Sequence, residues 1–344
     1  MRVLVTGGCG FLGSHVCEFY RRKGYHVTSF DNMTKHELAR TGFAQKAARS
    51  YNWDYLKRLG VKMVKADIRD FKILLKEAKN CDYIVHTAAQ PAMTISWEDP
   101  RLDITTNVLG TFNVLEAARA LKIPVACCAT VHVYGNKINE TLKEDECRYF
   151  RTPAGIDENH PTLEGVLTPL HASKGAGDIY IKTYIDTYQL EAASFRLTGI
   201  YGTRQFGGED HGWVANFSIR SVLEWPLTIF GSGKQVRDII YATDVCEAFD
   251  AFYQTRKPGI YNIGGGEKTA ISLLECIDLI GQINMKRPVV KFETGRHGDL
   301  QYFVCDIAKA KKDLQWEPKI LPREGVKTLL EWIKENKRIF HKEG

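Results

Sequence analysis

The stretch Met1-Arg-Val-Leu-Val-Thr-Gly-Gly-Cys-Gly-Phe-Leu-Gly-Ser14 leaves the rest of the chain little freedom. Arg2 to Thr6 is a short β-branched and apolar run, the pattern of a buried strand. Gly7, Gly10 and Gly13 follow at three-residue spacing, and from Phe11 to about Arg22 the pattern turns helical. Strand, glycine turn and helix in that order build a cradle for the pyrophosphate of a dinucleotide. Gly7 permits the tight turn, Gly10 lets the backbone approach the phosphates, and Gly13 lets the helix pack on the strand. The N–H groups that open the helix, at Phe11 and Leu12, face the negative charge. The next apolar run, His26 to Phe30, ends in Asp31, whose carboxylate suits both hydroxyls of an adenosine ribose. That choice favours NAD over NADP. A plain packing turn also uses glycines, but it does not call for the acidic residue at the second strand end.

The remainder continues the alternation. Strands are expected at Val61 to Ala66, Asp82 to Thr87, Pro124 to Thr130 and Ala192 to Leu197. Helices are expected at 71–79, 101–121 and 172–190, and a loop with a short helix over 32–60. Alternating strands and helices specify an α/β fold, a Rossmann-type doubly wound parallel sheet. Ligands bind such sheets at the carboxyl ends of the strands. Chemistry is therefore expected at 7–10, 31–32, 67–68, 87–90 and 130–134. Residues 136–169 are long and polar and read as a surface excursion with a functional role. After about 200 the alternation is lost. Residues 1–200 read as the NAD-binding domain, and 201–344 as mainly a smaller substrate-binding lobe, with segments near 238–263 returning to the sheet.

At 344 residues, 44% hydrophobic and 26% charged, the chain reads as a soluble globular protein. A net charge of +6 without a run of five like charges makes nucleic acid a poor partner and suits a phosphorylated small molecule. The nine cysteines form no C-x-x-C pair, which suggests reduced thiols in a cytoplasmic protein. No apolar run reaches the length of a membrane span. No acidic or histidine cluster has metal-ligand spacing, so no metal is expected.

These residues resemble the extended short-chain dehydrogenase/reductase family of nucleotide-sugar epimerases and dehydratases, over essentially the whole chain. Thr6-Gly-Gly-Cys-Gly-Phe-Leu-Gly13 is similar to the family's cofactor fingerprint, Asp67-Ile68 to its adenine contact, and His86-Thr-Ala-Ala89 to its strand-four motif. Asn107 matches its helix asparagine, Val133-Tyr-Gly135 and Tyr201-Gly-Thr-Arg204 its strand-end signatures, and Arg296-His-Gly-Asp299 its diphosphate motif. The resemblance implies that Asn32, Asp67, Ile68, Thr87, Ala88, Ala89 and Asn107 join the glycines and Asp31 around NAD. Gln90-Pro-Ala-Met-Thr-Ile-Ser96, Gly155-Ile-Asp-Glu158, Gly212-Trp-Val214 and Gly231-Ser-Gly-Lys-Gln-Val-Arg-Asp238 are similar to a subgroup acting at C2 of CDP-sugars. A CDP-sugar is thus the favoured substrate, and a homodimer joined through helices 101–121 and 172–190 is implied.

The resemblance also implies the reaction: oxidation of a sugar hydroxyl by NAD⁺, turning of the ketone, and reduction on its other face. A base must take the hydroxyl proton and return it. The family uses a Ser or Thr with a Tyr-x-x-x-Lys pair. Thr130 matches the first and Lys174 the Lys, which also holds the nicotinamide ribose. The tyrosine is absent: Thr168-Pro-Leu-His-Ala-Ser-Lys174 carries Leu170 in its place and His171 next to it. Three readings stay open. His171 is the base with Thr130, its free pKa near 6.5 suiting neutral pH; or His132 or a bound water serves; or the site binds without turnover. A dehydratase is disfavoured, because Val131-His132 stands where family dehydratases carry Asp-Glu. Arg237 and Arg296 are the diphosphate candidates, since a forked guanidinium matches phosphate oxygens in pairs. Salt bridges to Asp238 and Asp299 are their structural alternatives. Arg204, Gln205, Trp213, Gln90, Thr94, His132 and Thr198 complete the candidate substrate contacts, with core packing the alternative for Trp213 and Phe206.

Overall fold

The computed structural model describes residues 1–340 apart from 42 and 44, so the last four residues of the expected lobe lie outside the described residues. A seven-stranded sheet forms the centre. Its strands are β1 (Arg2–Thr6), β2 (His26–Asp31), β3 (Lys62–Lys65), β4 (Tyr83–His86), β5 (Val125–Thr130), β6 (Ala192–Leu197) and β7 (Gly259–Ile263). All pairs are parallel, in the order β7-β6-β5-β4-β1-β2-β3. The order reverses between β1 and β4, which opens a crevice beyond the carboxyl ends of those strands.

The strands read as continuous apolar runs because both faces are covered. Val3, Val5, Tyr83 and Val85 point to one side, where they pack with α1 (Phe11–Arg22) and α2 (Gln45–Arg58). Leu4, Ile84, Val125 and Cys127 alternate to the other. There they meet α3 (Phe71–Ala78), α4 (100–121) and α5 (Pro169–Tyr188). Full burial of each such Val, Leu or Ile stabilises the fold by about 1.5–3 kcal/mol.

Three elements differ from the sequence expectation. Residues 32–60 hold a 3-10 turn, His36–Arg40, and the 14-residue α2 rather than a short helix. α4 passes through a π-helical turn at Thr105–Leu109. α5 starts at Pro169, three residues before the expected 172, because Thr168 caps it and proline is favoured in the first turn. The 136–169 excursion also does more than cover the surface. Ile138 and Ile156 are buried with Val236, Tyr302 and Phe303. The Ile156 N–H donates to the Val304 carbonyl, and the Ile156 carbonyl accepts from Asp306 N–H, both at 2.9 Å.

The second lobe contains α6 (Trp213–Leu223), α8 (Leu273–Asn284) and α9 (Pro322–Glu335), packed around a second apolar cluster. Between α6 and α8 the chain goes back to the sheet. There α7 (Ala242–Thr255) lies in the same cluster as α1, and β7 is the edge strand. All nine cysteines are free thiols. Among the described residues, no helix is long and apolar enough to cross a membrane.

Candidate active site

The crevice beyond β1, β2 and β4 is built by close backbone approach. Gly7 has φ +68°, and a Cβ there would lie 2.6 Å from the Ala88 nitrogen. A Cβ at Gly13 would collide with the Gly7 carbonyl oxygen, so the helix sits directly against the turn. At Gly10 a Cβ would meet only that carbonyl oxygen, at 3.0 Å, and would otherwise fill the open groove. Gly10 caps α1 without a side-chain hydrogen bond, which leaves the opening N–H groups at Phe11 and Leu12 for an anion. Asp31 accepts from the N–H groups of Cys9 at 2.9 Å and Met33 at 2.7 Å, one on each oxygen. Each oxygen keeps a further acceptor site for a ribose hydroxyl.

Asp31, Asn32, Ile68, Thr87, Ala88 and Ala89 line one groove with Gly7 and Gly10. Asp67 lies behind them. It accepts from Asn32 at 2.9 Å and pairs with Arg69 at 2.7 Å, and Arg69 holds its carboxyl down at about 2. The Thr87 hydroxyl donates to the Thr6 carbonyl at 2.8 Å. Asn107 sits in the π-helical turn and fastens three elements. It accepts from Gln90 N–H at 2.8 Å and donates to the Gln90 carbonyl, Asp103 and the Ser173 hydroxyl. The Gln90 amide is turned to Asp103, at 2.8 Å, and to the Ala92 carbonyl, so it braces the strand end rather than facing a sugar.

Lys174 is half-buried on α5. Its ammonium makes no hydrogen bond or ion pair among the described residues. Burial lowers its pKa, opposed by nearby Cys128 and Asp103. Cys128 and Thr130 lie two residues apart on β5, so their side chains share one face of the sheet, opposite to Val125 and Cys127. The Thr130 hydroxyl accepts from His132 N–H at 3.3 Å. Leu170 is buried, and its N–H donates to the Ser96 hydroxyl at 3.2 Å. His171 is fully buried rather than a surface residue, because the earlier start of α5 puts it in the first turn. Its Nδ1 accepts the Thr168 backbone N–H at 3.1 Å. An imidazole whose Nδ1 accepts carries its proton on Nε2. In this state His171 therefore offers a donor, not a base. Thr94 lies on the short helix Met93–Glu98 beside this region.

The second lobe contributes Arg237, half-buried, with its guanidinium on the carbonyls of Val236, at 2.8 Å, and Leu300. It makes no ion pair with Asp238 among the described residues. Asp238 instead accepts from Thr198, at 2.7 Å, and from the N–H groups of Gly266 and Cys305. Gly199 lies between Trp213 and Arg237, since a Cβ there would be 3.7 Å from the Trp213 Nε1 and 3.6 Å from the Arg237 Cβ. Arg296 stacks on Phe230 at 4.0 Å and pairs with Asp210 at 3.3 Å, not with Asp299. Arg204 is placed elsewhere: buried on α1, it bonds Glu18 at 2.6 Å and Ser14 and lies over Tyr55. Phe206 is core, against Tyr51, Trp332 and Phe340. Gln205 is buried, its amide nitrogen on the Ile200 carbonyl. Sequence reasoning missed Asp103, Ser96 and Thr168. Only Thr168 had a signal, the cap spacing to residue 171.

Residues 3–264 match the model of the NAD dependent epimerase/dehydratase family. The chain belongs to this family. Its cofactor is NAD, which the cradle fits: an open Gly10, an Asp31 with acceptor capacity to spare, and an unpaired Lys174 cation. The chain is 35% identical to the CDP-paratose 2-epimerase of Salmonella typhi, over 96% of this chain and 99% of that one. It is 33% identical to a putative UDP-glucose 4-epimerase of Methanocaldococcus jannaschii, over 98% and 99%. Among solved structures, the Bacillus cereus UDP-glucuronic acid 4-epimerase in complex with UDP-glucuronic acid and NAD superposes with a TM-score of 0.81 at 26% identity. The superposition covers 98% of this chain and 100% of that one.

Proposed function

We propose that the protein epimerises a nucleoside-diphosphate sugar through a transient keto-sugar, with a CDP-sugar favoured. The observation that carries this is a pair of half-buried cations without ion-pair partners among the described residues, Lys174 on α5 and Arg237 in the second lobe. An unpaired cation in a partly dry site is costly unless a ligand anion or lone pair completes it. Lys174 suits the nicotinamide ribose and the reacting oxygen, and Arg237 suits a diphosphate. The full-length similarity to a CDP-paratose 2-epimerase supports the choice of CDP.

NAD, held by the glycine turn, Asp31 and Lys174, would supply the hydride acceptor and donor for the sugar carbon. The chain must take the hydroxyl proton at the same time. His171 is held as a cap acceptor, so we assign this task to Lys174 in its neutral form, with the Thr130 hydroxyl bridging to the sugar. Inversion at C2 then requires the keto-sugar to rotate about its diphosphate linkage. A dehydratase is unsupported, because Val131 and His132 supply no carboxylate. A non-catalytic NAD and nucleotide-sugar binding protein is the second reading, favoured by Leu170 in the phenol's place. We also propose a homodimer. Ile104 is 54% and Ile179 56% exposed, and Phe112 and Tyr180 adjoin at 6.2 Å on the same pair of helices.

The test uses purified protein, assayed for bound NAD and incubated with CDP-, UDP-, GDP- and dTDP-sugars in deuterated water. An inverted product without deuterium at the inverted carbon, with transient reduced cofactor, is expected. Absence of turnover on all four, with activity gained in Leu170→Tyr, would refute the epimerase reading in favour of the binding protein.

A further inference from the structure

Two imidazoles lie between the end of β5 and the first turn of α5, and the hydride chemistry alone does not explain them. Their rings are 5.6 Å apart and nearly perpendicular, at 80°. His171 is fixed by its helix. Its Nδ1 accepts the Thr168 N–H at 3.1 Å and lies 2.7 Å from the Thr168 hydroxyl. A backbone N–H only donates, so the neutral ring holds its proton on Nε2. That Nε2 is buried and has no partner among the described residues. The Nδ1 of His132 is also buried and without a partner among the described residues. An orphan donor and an orphan lone pair at one spot are the two halves of one hydrogen bond, because a buried polar group left alone is costly.

We propose that His171 Nε2–H is linked through one internal water to His132 Nδ1, and that His132 thereby presents a fixed Nε2–H donor to the reacting oxygen of the sugar. The proposal rests on the epimerase reading for its ligand. The helix cap sets the tautomer of His171, and His171 sets that of His132. His171 is then a positioning residue, and His132 is the group that meets substrate. Burial keeps both rings neutral, reinforced at His132 by Arg237 and His171. As the hydroxyl becomes a carbonyl, a prearranged neutral N–H stabilises the charge developing on oxygen without transferring a proton itself. The proton goes to Lys174 through Thr130. A base at His132 Nε2 would require the opposite tautomer, with Nδ1–H facing the Nε2–H of His171.

The experiment has two arms. In ¹⁵N-labelled protein at neutral pH, long-range ¹H–¹⁵N correlation spectra identify each tautomer, with His132→Gln and His171→Gln used for assignment. Both rings are expected as Nε2–H tautomers; His132 as the Nδ1–H form or as imidazolium overturns the relay. In the second arm, His132→Gln places an amide N–H near Nε2 and is expected to keep kcat within about 10-fold. His132→Phe is expected to lose about 10²–10³-fold, the cost of one such donor. NAD content checks the fold of each variant. Equal losses in the two variants, or none in His132→Phe, overturn the donor role. If wild type turns over no nucleotide sugar, the epimerase reading fails, and the tautomer spectra still decide the relay.

Discussion

Asp31 holds the glycine turn and is our proposed contact to the cofactor's ribose, and Asp31→Asn separates the two contributions. The carboxylate places one oxygen on the Cys9 N–H and the other on the Met33 N–H, at 2.9 and 2.7 Å. Asparagine keeps one acceptor and turns an NH₂ toward the other N–H. One charge-assisted bond is lost and a buried donor is left unmade, about 2–3 kcal/mol together. Burial pushes the Asp31 carboxyl up from its ordinary value, so removing the charge recovers part of this and favours the lower figure. Unfolding entropy of about 2.1 cal/mol/K per residue over 344 residues gives about 0.7 kcal/mol/K. The apoprotein should therefore melt about 3–4 °C lower by calorimetry. NAD also loses a charged acceptor for its ribose hydroxyls, about 1.5–3 kcal/mol, or roughly a 10- to 150-fold rise in Kd by titration calorimetry. An unchanged Kd would refute Asp31 as the ribose contact. A weaker Kd with an unchanged apoprotein Tm would refute its role in holding the glycine loop.

Three further outcomes are expected. Burial raises the Asp238 carboxyl to about 6, so the folded state binds that proton more tightly than the unfolded chain does. Stability from this group is present below about pH 4 and is lost as pH rises through 6, about 3 kcal/mol in all. Asp238→Asn should flatten that slope in denaturant titrations, because one amide oxygen can still accept from Gly266 and Cys305; an undiminished slope would place its origin elsewhere. In Lys174→Met, NAD should bind about 10-fold more weakly with Tm unchanged or raised, since an unpaired half-buried cation is removed. Wild-type kcat should rise with pH as the amine loses its proton, beginning lower than an ordinary lysine allows; a flat profile would remove Lys174 as proton acceptor. Ile104→Glu with Ile179→Glu should convert a dimer to a monomer in light scattering, and an unchanged mass would locate the interface elsewhere.

The glycine cradle and Asp31 were legible because every determinant lies within one strand, one turn and the next strand end. The two-sided burial of the sheet was legible from runs such as Tyr83-Ile-Val-His86 for the same reason. The arginines were not separable. Arg204 closes a strand-end signature and Arg237 a glycine-rich motif, both plausible diphosphate positions, but Glu18 and Tyr55 draw Arg204 onto the back of α1. Those partners are distant in sequence, and no local pattern announces them. Gln90 was similarly obscured: its placement depends on Asp103 and on Asn107 in a π-helical turn, which a regular helix period does not predict. α5 starts three residues before the expected 172 because the apolar period begins after the cap, although Thr168-Pro169 already carries a cap and a first-turn proline.

Those three residues alter the chemistry. With α5 beginning at 172, His171 would be a loop imidazole with both nitrogens free. With Pro169 in the first turn, its Nδ1 closes the helix cap and only an N–H remains. Leu170 is anchored in the same turn by its N–H on Ser96, which ties the Met93–Glu98 helix to α5. The first turn of α5 therefore serves structure with Leu170 and His171, the residues at the place where the sequence resemblance implies a tyrosine. What remains basic and without a hydrogen bond or ion pair among the described residues is Lys174, one turn further along, to which, with Thr130 on β5, we assign the proton. A lysine that exchanges the proton needs to be neutral, which burial and an adjacent cationic nicotinamide both favour, whereas a lysine that only tunes a phenol needs its charge. With Leu170 in the phenol's place and Lys174 retained, our assignment of the proton to Lys174 transfers the demand for a lowered pKa from the missing phenol to the amine.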